Sequence, residues 1–326
     1  MVDRHGRNIN YLRISITDRC NLRCRYCMPY TGVEKVEHVS ILSLEEIARL
    51  VRVAAGAGIR KVRLTGGEPL VRRNVAQLVR YIKEVPEIDD ISLTTNGVLF
   101  SGMAEELKAA GLDRVNFSLD SLVPEKFQYI TRVGNLDTVR EAIDKALDLN
   151  LHPVKINTVL IRGFNDNEIM AFADLAYRRP LHVRFIEFMP IGDLQYWNRD
   201  NIVTSRETKN IITRHYRLAE AKKIKGSGPA RYYNLEGGQG SVGFISPMSN
   251  HFCSECNRIR MTADGKLRGC LYDKREVDLK QAMLYGASDE QLREIFMETI
   301  SSKPDKHNMN NGWGAENRRK MYQIGG

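Results

Sequence analysis

The sequence lacks the segments that mark membrane-spanning or secreted proteins. No apolar run among its 326 residues approaches the ~20 residues that cross a bilayer. The N-terminal residues, MVDRHGR, also lack the apolar core of a signal peptide. We therefore expect a cytoplasmic protein that makes no contact with a membrane.

Cysteine is scarce and unevenly distributed. All six cysteines fall into two groups of three, which are Cys20, Cys24, Cys27 and Cys253, Cys256, Cys270. A disulfide framework would spread an even set of cysteines through a short secreted chain. Two tight groups instead favour metal ligation in a reducing compartment.

The first cysteine set has the spacing Cys-x3-Cys-x2-Cys. Thiolates suit iron–sulfur clusters or zinc, and three thiolates on a four-iron cluster leave one iron open for another ligand. A structural zinc site closes with four ligands, and no fourth Cys or His follows within ten residues. The pattern favours a cluster, with a zinc site completed by a distant ligand as the alternative.

The second cysteine set also supplies three thiolates. Residues 262–266 read as a hairpin turn, which would return Cys270 to the side of Cys253 and Cys256. We expect a second iron–sulfur cluster, with zinc completed by His251 as the alternative. Arg258 and Arg260 alternate and so project to one face beside this site, where guanidinium groups suit phosphate oxygens.

Hydrophobic periodicity predicts six strand–helix units in regular order. Alternating segments predict strands at 11–17, 61–65, 91–95, 114–119, 154–160 and 183–188, and helical spacing predicts helices at 103–110, 136–149 and 167–177. A further helix follows the capping box at 43–46. Such repetition implies a parallel sheet with right-handed crossovers. Eight units would close a barrel, so six predict an open, partial (β/α)6 TIM-type barrel of the α/β class.

One side of these strands is polar. Arg63, Thr94, Lys155 and Arg184 share a strand face with Arg13, whereas the alternate residues are apolar and must face the helices. We expect a wet lumen that holds a ligand, with a plain solvated sheet face as the alternative. The formal net charge of +9 points to an anionic ligand, either nucleic acid or a phosphorylated small molecule.

The pattern changes after Pro190. A helix at 204–215, a basic turn at 222–229, a hairpin from 231–235 to 241–245, and helices at 278–285 and 290–300 are predicted. We expect a C-terminal α+β extension that closes the open side of the barrel. The predicted division lies between a domain at 1–217, with the first cluster, and a domain at 218–326, with the second.

Several motifs together resemble one family. They are the first cysteine set after Asp18-Arg19, TGGEPL at 65–70, LTTNG at 93–97, RFIEFMP at 184–190, FCSECNRIR at 252–260 and the final Gly325-Gly326. They are similar to those of GTP 3′,8-cyclase, a radical S-adenosylmethionine (SAM) lyase that begins molybdenum cofactor biosynthesis. The resemblance covers nearly the whole chain.

The resemblance implies two 4Fe-4S clusters and SAM as cofactors. In this family a 5′-deoxyadenosyl radical removes the 3′ hydrogen of GTP, and the C3′ radical closes on guanine C8 to give 3′,8-cyclo-7,8-dihydro-GTP. Cys20, Cys24 and Cys27 would hold the SAM cluster and Cys253, Cys256 and Cys270 the second. SAM contacts would come from Tyr26, Gly67, Ser118 and Met189. GTP contacts would come from Arg13, Arg63, Thr94, Lys155, Arg184, Arg258 and Arg260.

Catalytic roles and partners follow from the same resemblance. It implies catalytic roles for Arg13, Lys155, Arg258, Arg260, Gly325 and Gly326. It also implies a low-potential electron donor, a downstream cyclic pyranopterin monophosphate synthase and a possible homodimer. One alternative is another radical SAM enzyme with an auxiliary cluster, acting on a peptide or other substrate. The other is a basic, metal-stapled nucleic-acid-binding module, although the predicted lumen favours no nucleic acid.

Overall fold

The computed structural model describes residues 1–33, 41–191, 197–221, 224–226, 228–307 and 319–325. Lys222, Lys223 and Ser227 of the predicted basic turn therefore lie outside the described residues, as does Gly326. The same is true of 34–40 within the loop that follows the first cysteine set.

Within the described residues, twelve strands form one sheet. In chain order they are β1 (Tyr11–Ser15), β2 (Lys61–Thr65), β3 (Asp90–Thr95), β4 (Arg114–Ser118), β5 (Lys155–Leu160), β6 (His182–Glu187), β7 (Leu218–Glu220), β8 (Arg231–Leu235), β9 (Ser241–Ile245), β10 (Arg258–Met261), β11 (Lys266–Arg268) and β12 (Val277–Asp278). The order across the sheet is β12-β11-β10-β1-β2-β3-β4-β5-β6-β9-β8-β7. Strands β1 to β6 are parallel neighbours, as the strand–helix repetition predicts.

Helices pack against the apolar face of the sheet, except for α10 (Met321–Ile324), whose residues Met321 and Tyr322 line a cavity on the other face. In chain order the other described helices are α1 (Leu44–Gly56), α2 (Val75–Lys83), α3 (Ala104–Ala109), α4 (Pro124–Thr131), α5 (Leu136–Asp148), α6 (Ile169–Arg178), α7 (Ser205–Thr213), α8 (Leu279–Leu284) and α9 (Asp289–Ser301). Helix α1 begins with the predicted capping box: Ser43 Oγ accepts from the Glu46 amide, and the Glu46 carboxylate accepts from the Ser43 amide. Both bonds satisfy amides that the first helical turn leaves open.

The C-terminal strands extend both edges of the six-stranded sheet. Strand β10 pairs in parallel with β1, and β9 pairs in parallel with β6. Strands β8 and β9 form the predicted hairpin, and β10 turns back into β11. The sheet stays open and of mixed direction, so the predicted partial barrel is confirmed, with its two edges occupied by strands from the end of the chain.

The core lies between the strands and the helices. Leu12, Leu64, Leu93, Phe117 and Ile156 have no exposed surface and pack with the apolar faces of the helices. The alternating pattern of the sequence is therefore confirmed as one face against helices and one face toward the lumen. Within the described ranges, no helix combines the length and the apolar character needed to cross a membrane.

Candidate active site

Both cysteine sets line a single cavity on the concave side of the sheet. Its lining includes Cys20, Cys24, Cys27, Cys253, Cys256 and Cys270. Its volume of about 300 Å³ lies at the lower end of the ~300–1,000 Å³ range of ligand pockets. Residues separated by more than two hundred positions in sequence thus face one another across one space.

The first cysteine loop is held by the end of helix α4. The backbone amides of Arg23 and Arg25 donate to the carbonyls of Thr131 (3.1 Å) and Ile130 (2.9 Å). Arg132 reinforces this contact because its guanidinium donates to the Arg23 carbonyl at 2.8 Å. These bonds fix the backbone on both sides of Cys24, so the thiols are presented from a supported loop.

Burial is the main influence on the pKa values of the three cysteines in the first set. It raises the pKa of Cys20 to about 11 and that of Cys27 to about 12, and it raises the pKa of Cys24 well above its usual range. Without a bound metal the three thiols are therefore protonated at neutral pH. Metal ligation must release these protons, because the thiolate is the ligand.

The second cysteine set differs electrostatically. Burial opposes ionisation of Cys256, but Arg258 and Lys303 outweigh it and lower the pKa of Cys256 to about 6. The β10–β11 hairpin brings Cys270 back to the cavity that Cys253 and Cys256 line, as the turn at 262–266 predicts.

Neither set has the arrangement of a single-ion site. Within the parts of the chain that the structure describes, no three His, Cys, Asp or Glu side chains are grouped to hold one metal ion. A structural zinc ion draws four ligands to within about 2.0–2.3 Å. A cluster instead distributes its thiolates over separate iron atoms, so its cysteines lie further apart than the ligands of a single ion.

A contact that the sequence analysis missed joins the N-terminus to the second set. Arg7 is buried and paired with Asp3 at 2.6 Å. Its guanidinium donates to the carbonyls of Cys253 (2.9 Å), Pro304 (2.8 Å) and Asp305 (2.9 Å). It thus ties the cysteine turn to the segment before the tail. No local pattern distinguishes Arg7 from a surface arginine.

The residues predicted to contact SAM all border the cavity. They are Tyr26, Gly67, Ser118 and Met189. The Gly67 amide donates to the Thr17 carbonyl at 2.8 Å, and a Cβ atom at Gly67 would lie 2.6 Å from the Asp18 carbonyl oxygen. Only glycine allows the turn after β2 to approach the first cysteine loop this closely.

Two buried carboxylates support this end of the cavity. Glu68 accepts from the Thr95 hydroxyl (2.8 Å) and the Asn96 amide (2.7 Å), and burial raises the pKa of Glu68 to about 7. Asp120 accepts from the hydroxyl of Tyr26 at 2.6 Å and from the Val159 amide at 2.9 Å. Glu68 joins the ends of β2 and β3, and Asp120 fixes the ring beside the cysteines. The sequence analysis assigned neither role.

The predicted GTP contacts include six cavity-lining residues. They are Arg13, Arg63, Thr94, Arg184, Arg258 and Arg260. Burial, and repulsion from neighbouring arginines, lowers the pKa of Arg63 to about 10 and that of Arg260 to about 9. The concentrated positive charge favours an anionic ligand, which would relieve the repulsion.

Buried polar atoms in the same wall await partners. Thr94 Oγ1, Asn157 Oδ1 and Arg184 Nε have no hydrogen-bond partner among the described residues. All three residues line the cavity. Buried polar groups are normally bonded, so this wall fits a polar ligand rather than an apolar one.

Lys155 is not among the residues that line the cavity. Its Nζ donates to the Lys225 carbonyl at 2.7 Å. Burial and the nearby Arg184 and Arg114 lower the pKa of Lys155 to about 5. Beside it, Arg114 forms a buried two-bond ion pair with Asp90 at 2.7 and 2.5 Å. The strand pattern identifies Lys155 but gives no sign of this pair.

The end of the chain enters the barrel. Arg260 donates to the carbonyls of Ile324 (3.3 Å) and Gly325, and Gly325 lies beside Thr65 at the end of β2. Gly325 has φ +71°, in the left-handed region that favours glycine. Gly326, for which the same placement is predicted, lies outside the described residues.

Comparison with known proteins matches this architecture in two parts. A family model described as Radical SAM superfamily matches residues 14–176, and one described as Molybdenum Cofactor Synthesis C matches residues 181–309. Among solved structures, SuiB of Streptococcus suis superimposes with a TM-score of 0.62 at 14% identity, covering 90% of this chain and 69% of SuiB. At that identity the likeness shows the fold alone.

Curated relatives match over their full length. The GTP 3′,8-cyclase of Syntrophomonas wolfei is 68% identical over 326 residues, and that of Moorella thermoacetica is 55% identical over 326 residues. In both comparisons the match covers 100% of this chain and 100% of the relative. The chain therefore belongs to the GTP 3′,8-cyclase family of radical SAM enzymes.

Proposed function

We propose that the cavity performs the cyclisation of GTP in molybdenum cofactor biosynthesis. The observation that carries the proposal is the shared cavity, in which two sets of three cysteines face one cationic wall. A reduced 4Fe-4S cluster and SAM, when bound, would supply the radical chemistry that takes the 3′ hydrogen from GTP and allows C3′ to bond to guanine C8. The chain's own part is to hold both molecules, orient them and exclude water.

Membership in the radical SAM superfamily implies a 4Fe-4S cluster and SAM. We assign the cluster to Cys20, Cys24 and Cys27, whose three thiols leave one iron open for SAM. The SAM contacts would come from Tyr26, Gly67, Ser118 and Met189. The close packing of Gly67 on the cysteine loop supports this assignment, because it brings the turn after β2 directly against the segment that carries the three thiols.

We assign a second 4Fe-4S cluster to Cys253, Cys256 and Cys270. Its open iron would hold the guanine base, as the family resemblance implies. Support comes from the three thiols at the cavity and from Arg258, which favours the thiolate of Cys256. The base would then be held at the second cysteine set, in the same cavity that the first set lines.

The triphosphate would meet the cationic wall. Its roughly four negative charges, extrapolated from the charge of a phosphate group, require several cations. The candidate contacts are Arg13, Arg63, Thr94, Lys155, Arg184, Arg258 and Arg260. The unpartnered atoms of Thr94 and Arg184 support this role because a phosphate oxygen or a ribose hydroxyl would satisfy them. The proposed catalytic residues remain Arg13, Lys155, Arg258, Arg260, Gly325 and Gly326.

Other parts of the assignment remain proposals. These are the division of the chain at residue 217, the cytoplasmic location, the low-potential electron donor, the downstream cyclic pyranopterin monophosphate synthase and the homodimer. A peptide-modifying radical SAM activity is not favoured, since the full-length relatives share the cyclase name.

Replacing Cys253, Cys256 and Cys270 together by Ser tests the proposed division of labour. After anaerobic reconstitution, we expect about eight irons in the unaltered chain and about four in the variant. The variant should still cleave SAM to 5′-deoxyadenosine with dithionite but form no cyclised nucleotide. As a control, replacing Cys20, Cys24 and Cys27 by Ser should abolish both reactions. If the variant that lacks the second cysteine set forms cyclised product at the yield of the unaltered chain, that set has only a structural role.

A further inference from the structure

The outer side of the first cysteine loop carries exposed aromatic and apolar side chains. Tyr30 is 77% exposed, Tyr129 52% and Val133 61%. The Arg25 guanidinium lies 4.0 Å from the centre of the Tyr129 ring, and that of Arg132 lies 5.7 Å from the Tyr30 ring. We name these five residues the cysteine-loop face. Tyrosine and arginine together are the composition enriched at protein interfaces.

The cysteine-loop face is bonded directly to the backbone around Cys24. Arg23 and Arg25, the residues on either side of Cys24, donate their amides to the last residues of α4 at 3.1 and 2.9 Å. Tyr129 lies in the same last turn of α4. A backbone path with one hydrogen bond, from Ile130 to Arg25, therefore connects Tyr129 on this face to Cys24.

The two segments that carry this face are basic. Residues 19–33 contain three arginines and no acidic residue, and residues 126–134 add one lysine and one arginine, again with no acidic residue. Acidic residues lie just outside the segments, at Asp18 and Glu34 and at Glu125 and Asp137, and Lys126 is paired with Glu168 at 3.3 Å. A cationic surface attracts an acidic partner and accelerates its encounter, most strongly at low salt.

We propose that the cysteine-loop face is the docking surface for an acidic, low-potential one-electron carrier protein. The inference rests on the proposed function, because SAM cleavage at the first cluster consumes one external electron. In the transfer the carrier is oxidised by one electron and the cluster bound by Cys20, Cys24 and Cys27 is reduced by one. No bond or proton moves. The exposed rings give a small apolar centre with a cationic rim, the scale of a transient redox encounter.

The test replaces the three exposed side chains together, as Tyr30→Ser, Tyr129→Ser and Val133→Glu. The matched control carries Leu284→Ser, Tyr285→Ser and Val277→Glu, which change other exposed residues, around α8 and β12. Each protein is reconstituted, and its iron and sulfide are counted. 5′-Deoxyadenosine formation is then measured with dithionite and, separately, with an acidic bacterial ferredoxin kept reduced.

We expect equal rates with dithionite for all three proteins, since dithionite needs no docking surface. With ferredoxin, the face variant should show a KM for the carrier raised about tenfold at low salt, and the difference should shrink as salt rises. A ferredoxin KM within about twofold of the control's would overturn the proposal. The proposal would also be overturned if the face variant changed from dimer to monomer while its ferredoxin KM stayed unaltered. The face would then be a contact between two copies of this chain.

Loss of iron from the face variant and failure of the proposed function are distinguished by further measurements. If the face variant loses iron, Val133→Glu alone is tested in its place, and the same tenfold criterion applies because Val133 only borders the loop. If the unaltered chain cleaves no SAM even with dithionite, the proposed function fails. Reduction of its cluster by ferredoxin, followed by visible absorbance, still decides whether the face binds the carrier.

Discussion

The buried guanidinium of Arg260 donates hydrogen bonds to the carbonyls of Ile324 and Gly325, so the end of the chain lies inside the barrel. Arg260 is one of the proposed GTP contacts, and Gly325 is one of the proposed catalytic residues. A chain terminus is usually frayed, and ordering it costs ~1–2 kcal/mol per residue. Charge-assisted bonds from Arg260 offset part of that cost. We therefore expect the tail to act in the reaction rather than in folding.

Gly325→Ala tests the tail. A Cβ atom there would collide with the Thr65 hydroxyl, and the residue has φ +71°. We expect both clusters to load and SAM cleavage to continue, while cyclised product falls at least tenfold, since ~1.4 kcal/mol of misplacement costs that factor. Gly286→Ala is the matched control: it has φ +81° with open space around the added Cβ. Deleting Gly325 and Gly326 should abolish cyclisation, and full product from the truncated chain would contradict a role for the tail.

Lys155 predicts proton uptake on GTP binding. Because burial and neighbouring arginines lower its pKa to about 5, it is neutral at pH 7 in the ligand-free chain. A triphosphate would raise this pKa, so binding should take up a proton and weaken as pH rises from 5 to 8. Calorimetry in two buffers of different ionisation enthalpy measures the uptake. Lys155→Met should lower the uptake by about one proton. Equal uptake by both proteins would exclude Lys155.

The same lysine should influence stability. Its folded pKa lies below that of the unfolded chain, so the unfolded state binds more protons between about pH 5 and 10. The contribution of Lys155 to the free energy of unfolding therefore falls as pH drops through that window. Lys155→Met should unfold at higher denaturant concentration at pH 7, with the advantage smaller at pH 9. An advantage that does not vary with pH would contradict the neutral lysine.

Removing one partner of the Asp90–Arg114 ion pair should destabilise the fold strongly, whereas replacing both partners by apolar residues should cost much less stability. Both side chains are buried, at 3% and 0% exposure. Asp90→Asn leaves an uncompensated cation, so the free energy of unfolding should fall by ~3–5 kcal/mol. The double change Asp90→Leu and Arg114→Met removes both charges and should recover most of that loss. Denaturant unfolding measures both, and a double variant less stable than the single one would contradict this account.

Asp120 should position Tyr26 for SAM. Its carboxylate accepts from the Tyr26 hydroxyl at 2.6 Å, and the Tyr26 ring packs edge-on against Phe188 at 5.9 Å. Asp120→Leu should raise the KM for SAM about tenfold, equivalent to a lost hydrogen bond to a charged group, and leave the KM for GTP within about twofold. Asp120→Asn keeps an acceptor and should recover most of the loss. A similar loss in both KM values would mean general disruption.

Local pattern predicts the six-stranded sheet and much of the lumen. The bounds of each predicted strand and helix lie within two residues of the observed bounds, because strand alternation and helix capping are patterns of neighbouring residues in the sequence. The alternation also separates the buried Leu12 and Val62 from the cavity-lining Arg13 and Arg63. Helices α2, α4 and α10 lack a prediction. In α4 only Phe127, Ile130 and Thr131 are buried, so its short eight-residue pattern is weak.

The residues that support the cavity from outside its lining could not be predicted from the sequence, because their partners are distant in the chain. Asp90, Arg114 and Arg7 each act through a partner brought close by the fold, across 24 positions for the Asp90–Arg114 pair and 246 for Arg7 with Cys253. A lone Asp or Arg in sequence is most often a solvated surface residue. The pairing of β10 with β1 is equally non-local, since no turn joins them.

That pairing has a consequence for synthesis of the protein. Strands β1 and β6 keep open edges until β10 and β9 leave the ribosome, and at 5–20 residues per second the edge of β1 waits roughly 10–50 s. Unpaired parallel strands are sites of aggregation. A nascent chain stalled before residue 241 should therefore depend on chaperones. Cluster loading at Cys20, Cys24 and Cys27 during translation would occur on an incomplete sheet, so assembly of the first cluster is expected to follow release of the finished chain.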